Sequence, residues 1–125
     1  MKVVWIIDNK FRELYGLYNL KKILLKNNIK LYLFHIPVWK TAIDFINPQI
    51  IVVPNLARSS CAPIVNYASR KKIKIFMHSS EGMYYSDNVQ KDKYPIALIK
   101  KIEKVCTWGK LDAFFLKKKG FEKKI

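Results

Sequence analysis

The chain has 125 residues, half of them apolar, which is enough to bury one core and argues against two separate domains. Its net charge is +15, from 24 Lys and Arg against 9 Asp and Glu, and a charge of that size attracts anionic partners over long range. Charged or turn residues break every apolar run before the roughly 18 residues that a membrane-spanning helix requires. The opening stretch is too short for a secretory signal, so the sequence predicts a soluble, cytoplasmic protein.

Short apolar runs alternate with amphipathic stretches along the chain, with no internal repeat. Lys2 to Asp8 reads as a first strand. A helix follows from about Arg12 to Asn27, in which Leu14, Leu17, Tyr18, Lys21, Leu24 and Leu25 have the spacing of one buried stripe. Lys30 to His35 is the second strand, and a short helix near Trp39 to Ile46 is stopped by Asn47-Pro48. Gln49 to Asn55 is the strongest strand, because its consecutive β-branched residues suit a central parallel position covered on both faces. Pro63 is placed to open a helix that ends at the basic run Arg70-Lys71-Lys72, where the charges favour the helix dipole. Lys74 to His78 is the fourth strand.

A long polar segment, Ser79 to Tyr94, comes next, and a loop of that length in a small domain is more often functional than accidental. Pro95 to Lys101 reads as a short helix, Lys104 to Thr107 as a fifth strand, and Lys110 to Lys119 as a last helix capped by Gly120. Five strands, each followed by a helical stretch, predict an α/β fold: a three-layer α/β/α sandwich around a five-stranded parallel, Rossmann-like sheet.

Open parallel sheets bind ligands outside the carboxyl ends of their strands, near the point where strand order reverses. Those ends carry Asp8-Asn9-Lys10, His35, Pro54-Asn55 with Arg58, His78-Ser79-Ser80-Glu81-Gly82, and Trp108-Gly109-Lys110. Each residue also has a structural reading: Asp8 as a helix cap, His35 as an exposed turn residue, Asn55 as the acceptor of an Asx turn. Glu81, beside Gly82, is suited to serve as a general base or to bind sugar hydroxyls.

Several chemistries are disfavoured. No glycine-rich phosphate loop follows the first strand, and no G-x-S-x-G elbow is present. Pro54-Asn55 lacks the carboxylate that a phosphoacceptor site would place there. The two histidines do not sit with cysteine or acid at ligand spacing, so neither a metal nor another cofactor is expected. Cys61 and Cys106 are too far apart in sequence for a metal-type pair. Both read as reduced spectators, Cys106 as a small hydrophobe in a strand and Cys61 in a loop, where a reactive thiol is the alternative reading.

Ile7-Asp8-Asn9-Lys10 with Arg12-Glu13-Leu14 and Gly16-Leu17, the run Ile51 to Asn55, His78 to Met83, Lys93-Tyr94-Pro95 and Trp108-Gly109-Lys110 together resemble the N-terminal domain of bacterial surface carbohydrate (polysaccharide) biosynthesis proteins. The resemblance spans nearly the whole chain. It implies a glycosyltransferase-like protein of the GT-B arrangement, in which two Rossmann-type domains face each other across a cleft. Residues 1–125 would then be the acceptor-side half, and the donor half would be absent.

Ser80-Glu81-Gly82 is similar to the acid-then-glycine motif of bacterial sialic-acid and Kdo transferases, although Ser80 stands where a second acid is common. The resemblance implies Glu81 as the base, with Asp8, Asn9, Lys10, Asn55, Arg58, His78, Ser79, Ser80, Gly82 and Lys110 around the substrate. It also implies a sugar acceptor as partner, with a sugar nucleotide supplied through the second domain or a partner chain, and no activity from this half alone.

The charge supports a competing reading, a basic binding module for nucleic acid or for an anionic membrane surface at the inner face of the membrane. The positive charge is almost all Lys, with Arg12, Arg58 and Arg70 the exceptions, and Lys, Ile, Asn and Tyr share A/T-rich codons. Bidentate recognition of phosphates or bases would favour arginine, so nucleic acid is the weaker of these two partners.

Overall fold

In the computed structural model, residues 1–54, 56, 60–79, 94–107 and 109–125 are described. They form strands β1 (Lys2–Ile7), β2 (Lys30–His35), β3 (Ile50–Val53), β4 (Lys74–His78) and β5 (Lys104–Cys106). The helices are α1 (Lys10–Lys26), α2 (Trp39–Ile46), α3 (Cys61–Arg70), α4 (Ile96–Ile99) and α5 (Lys110–Lys118), with single 3-10 turns at Ile36–Val38 and Glu122–Lys124. The sheet order is β2-β1-β3-β4-β5, and every pairing is parallel.

The chain therefore moves outward from β1 to β2, then crosses back over β1 to add β3, β4 and β5. The strand order reverses between β1 and β3, which puts the topological switch point at their carboxyl ends. At the opposite end the two strands are locked by side chain as well as main chain: Lys2 N–H donates to Gln49 Oε1 at 2.6 Å and Gln49 N–H to the Lys2 carbonyl at 3.0 Å.

Alternation along the strands divides the core. Val4, Ile6, Ile51, Val53, Ile75, Met77 and Val105 face one side, where Ala42, Ile43 and Ile46 of α2, Ile64, Val65 and Ala68 of α3, and Ile99 of α4 cover them. Val3, Leu31 and Val52 face the other side, with Trp5, Leu33, Ile50 and Phe76 and with Leu20 and Leu24 of α1. The strand predicted to be central is central: Ile51 and Val53 are fully buried, each stabilising the fold by about 1.5–3 kcal/mol relative to exposure.

Tyr94 is fully buried and anchors the return of the chain into α4. Burial and the neighbouring Asp112 carboxylate hold its phenol protonated far above the ordinary range, while Lys119 Nζ donates to the Tyr94 carbonyl at 3.2 Å.

Three helices end alike. Ile29 N–H reaches the Leu24 carbonyl, Ile73 N–H the Ala68 carbonyl, and Phe121 N–H the Leu116 carbonyl, each at 2.9–3.0 Å. This is the Schellman closure, and its pivot residue takes a left-handed backbone. The pivots are Asn28 (φ 58°), Lys72 (φ 58°) and the expected Gly120 (φ 79°).

Three expectations are corrected. The buried stripe of α1 is out of phase with the one read from the sequence: Leu17 is buried and Leu20 and Leu24 half-buried, whereas Leu14, Tyr18 and Leu25 are exposed. Cys61, read as a loop residue, opens helix α3 and is buried, while Pro63 stands in the first turn as expected, where no intrahelical N–H bond is lost. Cys106 is exposed, because it lies on the edge strand β5 on the same side as His78, its register partner.

Candidate functional site

Parallel strands in register bring their carboxyl ends to one edge of the sheet. Ile7 lies beside His35, Val53 beside Met77, and His78 beside Cys106. The polar residues that follow β1 and β4 thus share one rim, with the first turns of α1 standing over it.

The entry to α1 is tightly capped. Asn9 Oδ1 accepts from the backbone N–H groups of Phe11 and Arg12 at 3.0 and 3.3 Å, and Glu13 Oε1 accepts the Asn9 N–H at 3.0 Å. This reciprocal pair satisfies N–H donors that a helix start leaves open. Asn9, and not Asp8, is therefore the cap. The Asp8 carboxylate, 6% exposed, and the Glu13 carboxylate, 9% exposed, each lie 3.9 Å from the Arg12 guanidinium.

Two clefts adjoin this capped turn. One, of about 550 Å³, is lined by Asp8, Asn9 and Lys10 with Phe11, Leu14, Ile7 and His35. The other, of about 400 Å³, lies between α1 and the sheet. Trp5 and His78 line it from the strands, and Arg12, Glu13, Gly16, Leu17 and Leu20 line it from the helix.

The Trp5 and His78 rings pack 5.2 Å apart between centroids, tilted by 53°. The indole Nε1 is buried with no hydrogen-bond partner among the described residues. Burial holds the His78 imidazole below its ordinary pKa of 6.5, with the Glu13 carboxylate opposing the shift, so His78 is neutral at pH 7 and offers one donor and one acceptor. An aromatic floor beside a guanidinium, a carboxylate and a neutral imidazole suits a ligand with one apolar face and several hydroxyls.

The expected site residues that are described are dispersed over this rim. Asp8, Asn9 and Lys10 share the first cleft, and His78 belongs to the second. Ser79 is buried, its N–H donating to the Cys106 carbonyl at 3.3 Å. Lys110 is exposed at the start of α5, after β5, three strands from β1 and so about 14 Å across the sheet at usual strand spacing. Asn55, Arg58, Ser80, Glu81 and Gly82 lie outside the described residues.

Comparison with solved structures gives one reference point. The chain is similar to UDP-GlcNAc 2-epimerase from Methanocaldococcus jannaschii, with a TM-score of 0.70 and 14% identity. The match covers 98% of this chain and 44% of the epimerase chain, so the present chain spans less than half of that protein. No protein-family model and no curated protein matches the sequence. At this identity the likeness is one of fold alone, a Rossmann-like α/β/α domain.

Trp5, Arg12, Glu13 and Gly16 were not among the expected site residues. Trp5 carried a usable signal, as a large polar-tipped ring at an alternating position in an otherwise aliphatic strand. Among the described residues no group of three or more His, Cys, Asp or Glu is placed to hold a metal ion.

Proposed function

We propose that this chain is the acceptor-side domain of a glycosyltransferase-like protein of surface polysaccharide biosynthesis, acting with a second, nucleotide-sugar-binding domain or partner chain. The observation that carries the reading is the cleft between α1 and the sheet, where Trp5, His78, Arg12 and Glu13 combine a ring face with hydroxyl-binding groups beside a switch-point rim. The fold likeness to about half of a sugar-nucleotide epimerase supports the same reading. The resemblance of the quoted motifs to surface carbohydrate biosynthesis proteins narrows it further.

In this proposal Glu81 is the base. It takes the proton of an acceptor hydroxyl as that oxygen bonds to the anomeric carbon of the donor sugar, while the bond from that carbon to the nucleotide phosphate breaks and the nucleotide leaves with the electron pair. Asp8, Asn9, Arg58, His78 and Ser80 position the acceptor, and Lys110 lies toward the anionic donor. The test is sugar transfer by the chain joined to its donor-binding partner. Glu81→Gln should remove most turnover while leaving the thermal transition unchanged, and near-full turnover in that variant would reject the base assignment.

A further inference from the structure

Helix α1 is apolar on two opposite sides. Leu17, Leu20 and Leu24 face the sheet. On the outward side Phe11 is 89% exposed, Tyr15 83%, Tyr18 58%, Leu25 59% and Leu14 42%. Positions 11, 14, 15, 18 and 25 follow the helical repeat, with Lys22 completing the row between Tyr18 and Leu25. A contiguous exposed stripe of this kind is uncommon on a monomer and marks a contact surface.

The charges around the stripe all have one sign. Lys10 and Lys21 border one side and Arg12 and Lys26 the other, while Glu13, the only acid of α1, is turned toward the sheet. Lys10 Nζ lies 5.0 Å from the Phe11 ring centroid and Lys22 Nζ 4.5 Å from that of Tyr18. A second copy of a chain with net charge +15 would bring like charge against like.

We propose that the outward face of α1 lies on the surface of an anionic lipid bilayer. The rings sit at headgroup level and the lysine stems extend along them to the lipid phosphates. Phenol and phenyl rings favour this depth, and an apolar stripe combined with basic residues supplies the two contributions that stable surface attachment needs. Among the described residues no helix is long and apolar enough to cross a membrane, so attachment is along the surface. Phe11 and Leu14 also line the cleft at the strand tips, so attachment holds that cleft at the lipid surface.

The test is co-sedimentation of the full chain with phosphatidylcholine vesicles, with and without phosphatidylglycerol, read beside sedimentation velocity without lipid. The wild-type chain should bind only the anionic vesicles and release them as salt rises. The pair Phe11→Ser and Tyr15→Ser should lower partitioning by about tenfold or more, with unchanged circular dichroism and thermal midpoint. The charge reversals Lys21→Glu, Lys22→Glu and Lys26→Glu together should abolish binding. Phe45→Ser, equally exposed at 84% but on α2 in the opposite layer, should change nothing. Three results would overturn the proposal: no binding to anionic vesicles, equal binding by the double serine variant, or a wild-type dimer that this variant loses while neither binds lipid.

Discussion

The indole of Trp5 and the imidazole of His78 are packed 5.2 Å apart across the carboxyl end of the sheet, and this pair makes the fold sensitive to mild acid. Burial keeps the imidazole pKa below 6.5 in the folded chain, with Glu13 offsetting part of the shift. The unfolded chain binds the proton more readily than the folded chain does. Between the lowered value and 6.5 the unfolded state therefore carries more protons, and stability rises with pH. Above 6.5 the contribution is complete, and it is lost as pH falls through the folded-state pKa. Urea unfolding from about pH 7.5 to about pH 5, above most carboxylate titration, should show a falling midpoint that flattens in His78→Gln and persists in the exposed-site control His35→Gln. An unchanged slope in His78→Gln would remove this residue as the cause.

Gly16 lines the same cleft from the middle of α1, where a Cβ would meet no atom within 4 Å. Its backbone is ordinary helix, so glycine there costs helical stability and relieves no clash. Gly16→Ala should raise stability by about 1 kcal/mol, a shift of roughly 3–5 °C in Tm for a chain of this size. Gly16→Leu should fold as well but project into the cleft, and affinity for a sugar acceptor should fall in that variant alone. If the leucine variant binds as the wild type does, the space between α1 and Trp5 is not the ligand site.

These two predictions rest on features of unequal visibility in the sequence. The five strands were legible because their chemistry is local: β-branched runs such as Ile50 to Val53, bounded by Asn47-Pro48 and Pro54, have few alternatives. The polar rim was legible for the same reason, since parallel strands put every carboxyl end on one edge. The phase of α1 was not. Leu14, Tyr18 and Leu25 satisfy helical spacing as well as Leu17, Leu20 and Leu24 do, and only docking against β1 and β2 decides which series is buried. The cleft depended on that phase, because the helix face carrying Arg12, Glu13 and Gly16 had first to be set against Trp5. The cap was misplaced by one residue, as Asp8 and Asn9 are both good capping types and the choice is made where β1 ends.

Lys72 supplies a prediction independent of any ligand. It is the pivot of the Schellman closure of α3, with φ at 58°, its own N–H on the Ser69 carbonyl and the next N–H on the Ala68 carbonyl, both at 3.0 Å. The equivalent pivots are Asn28 and Gly120, the two residue types that tolerate this backbone, whereas a lysine Cβ crowds the following carbonyl at a cost of about 1–2 kcal/mol. Glycine there removes the crowding but adds freedom to the unfolded chain, which returns about 0.4–1 kcal/mol of the gain. Lys72→Gly should therefore stabilise the protein by about 0.5–1 kcal/mol. Loss of the charge should add little, since the side chain is exposed and has no ion pair among the described residues. The control Lys72→Ala, which keeps the Cβ and removes the charge, separates the two contributions. A gain in the glycine variant alone assigns the strain to the backbone, and an equal gain in both would assign it to relief of charge repulsion with Arg70 and Lys71.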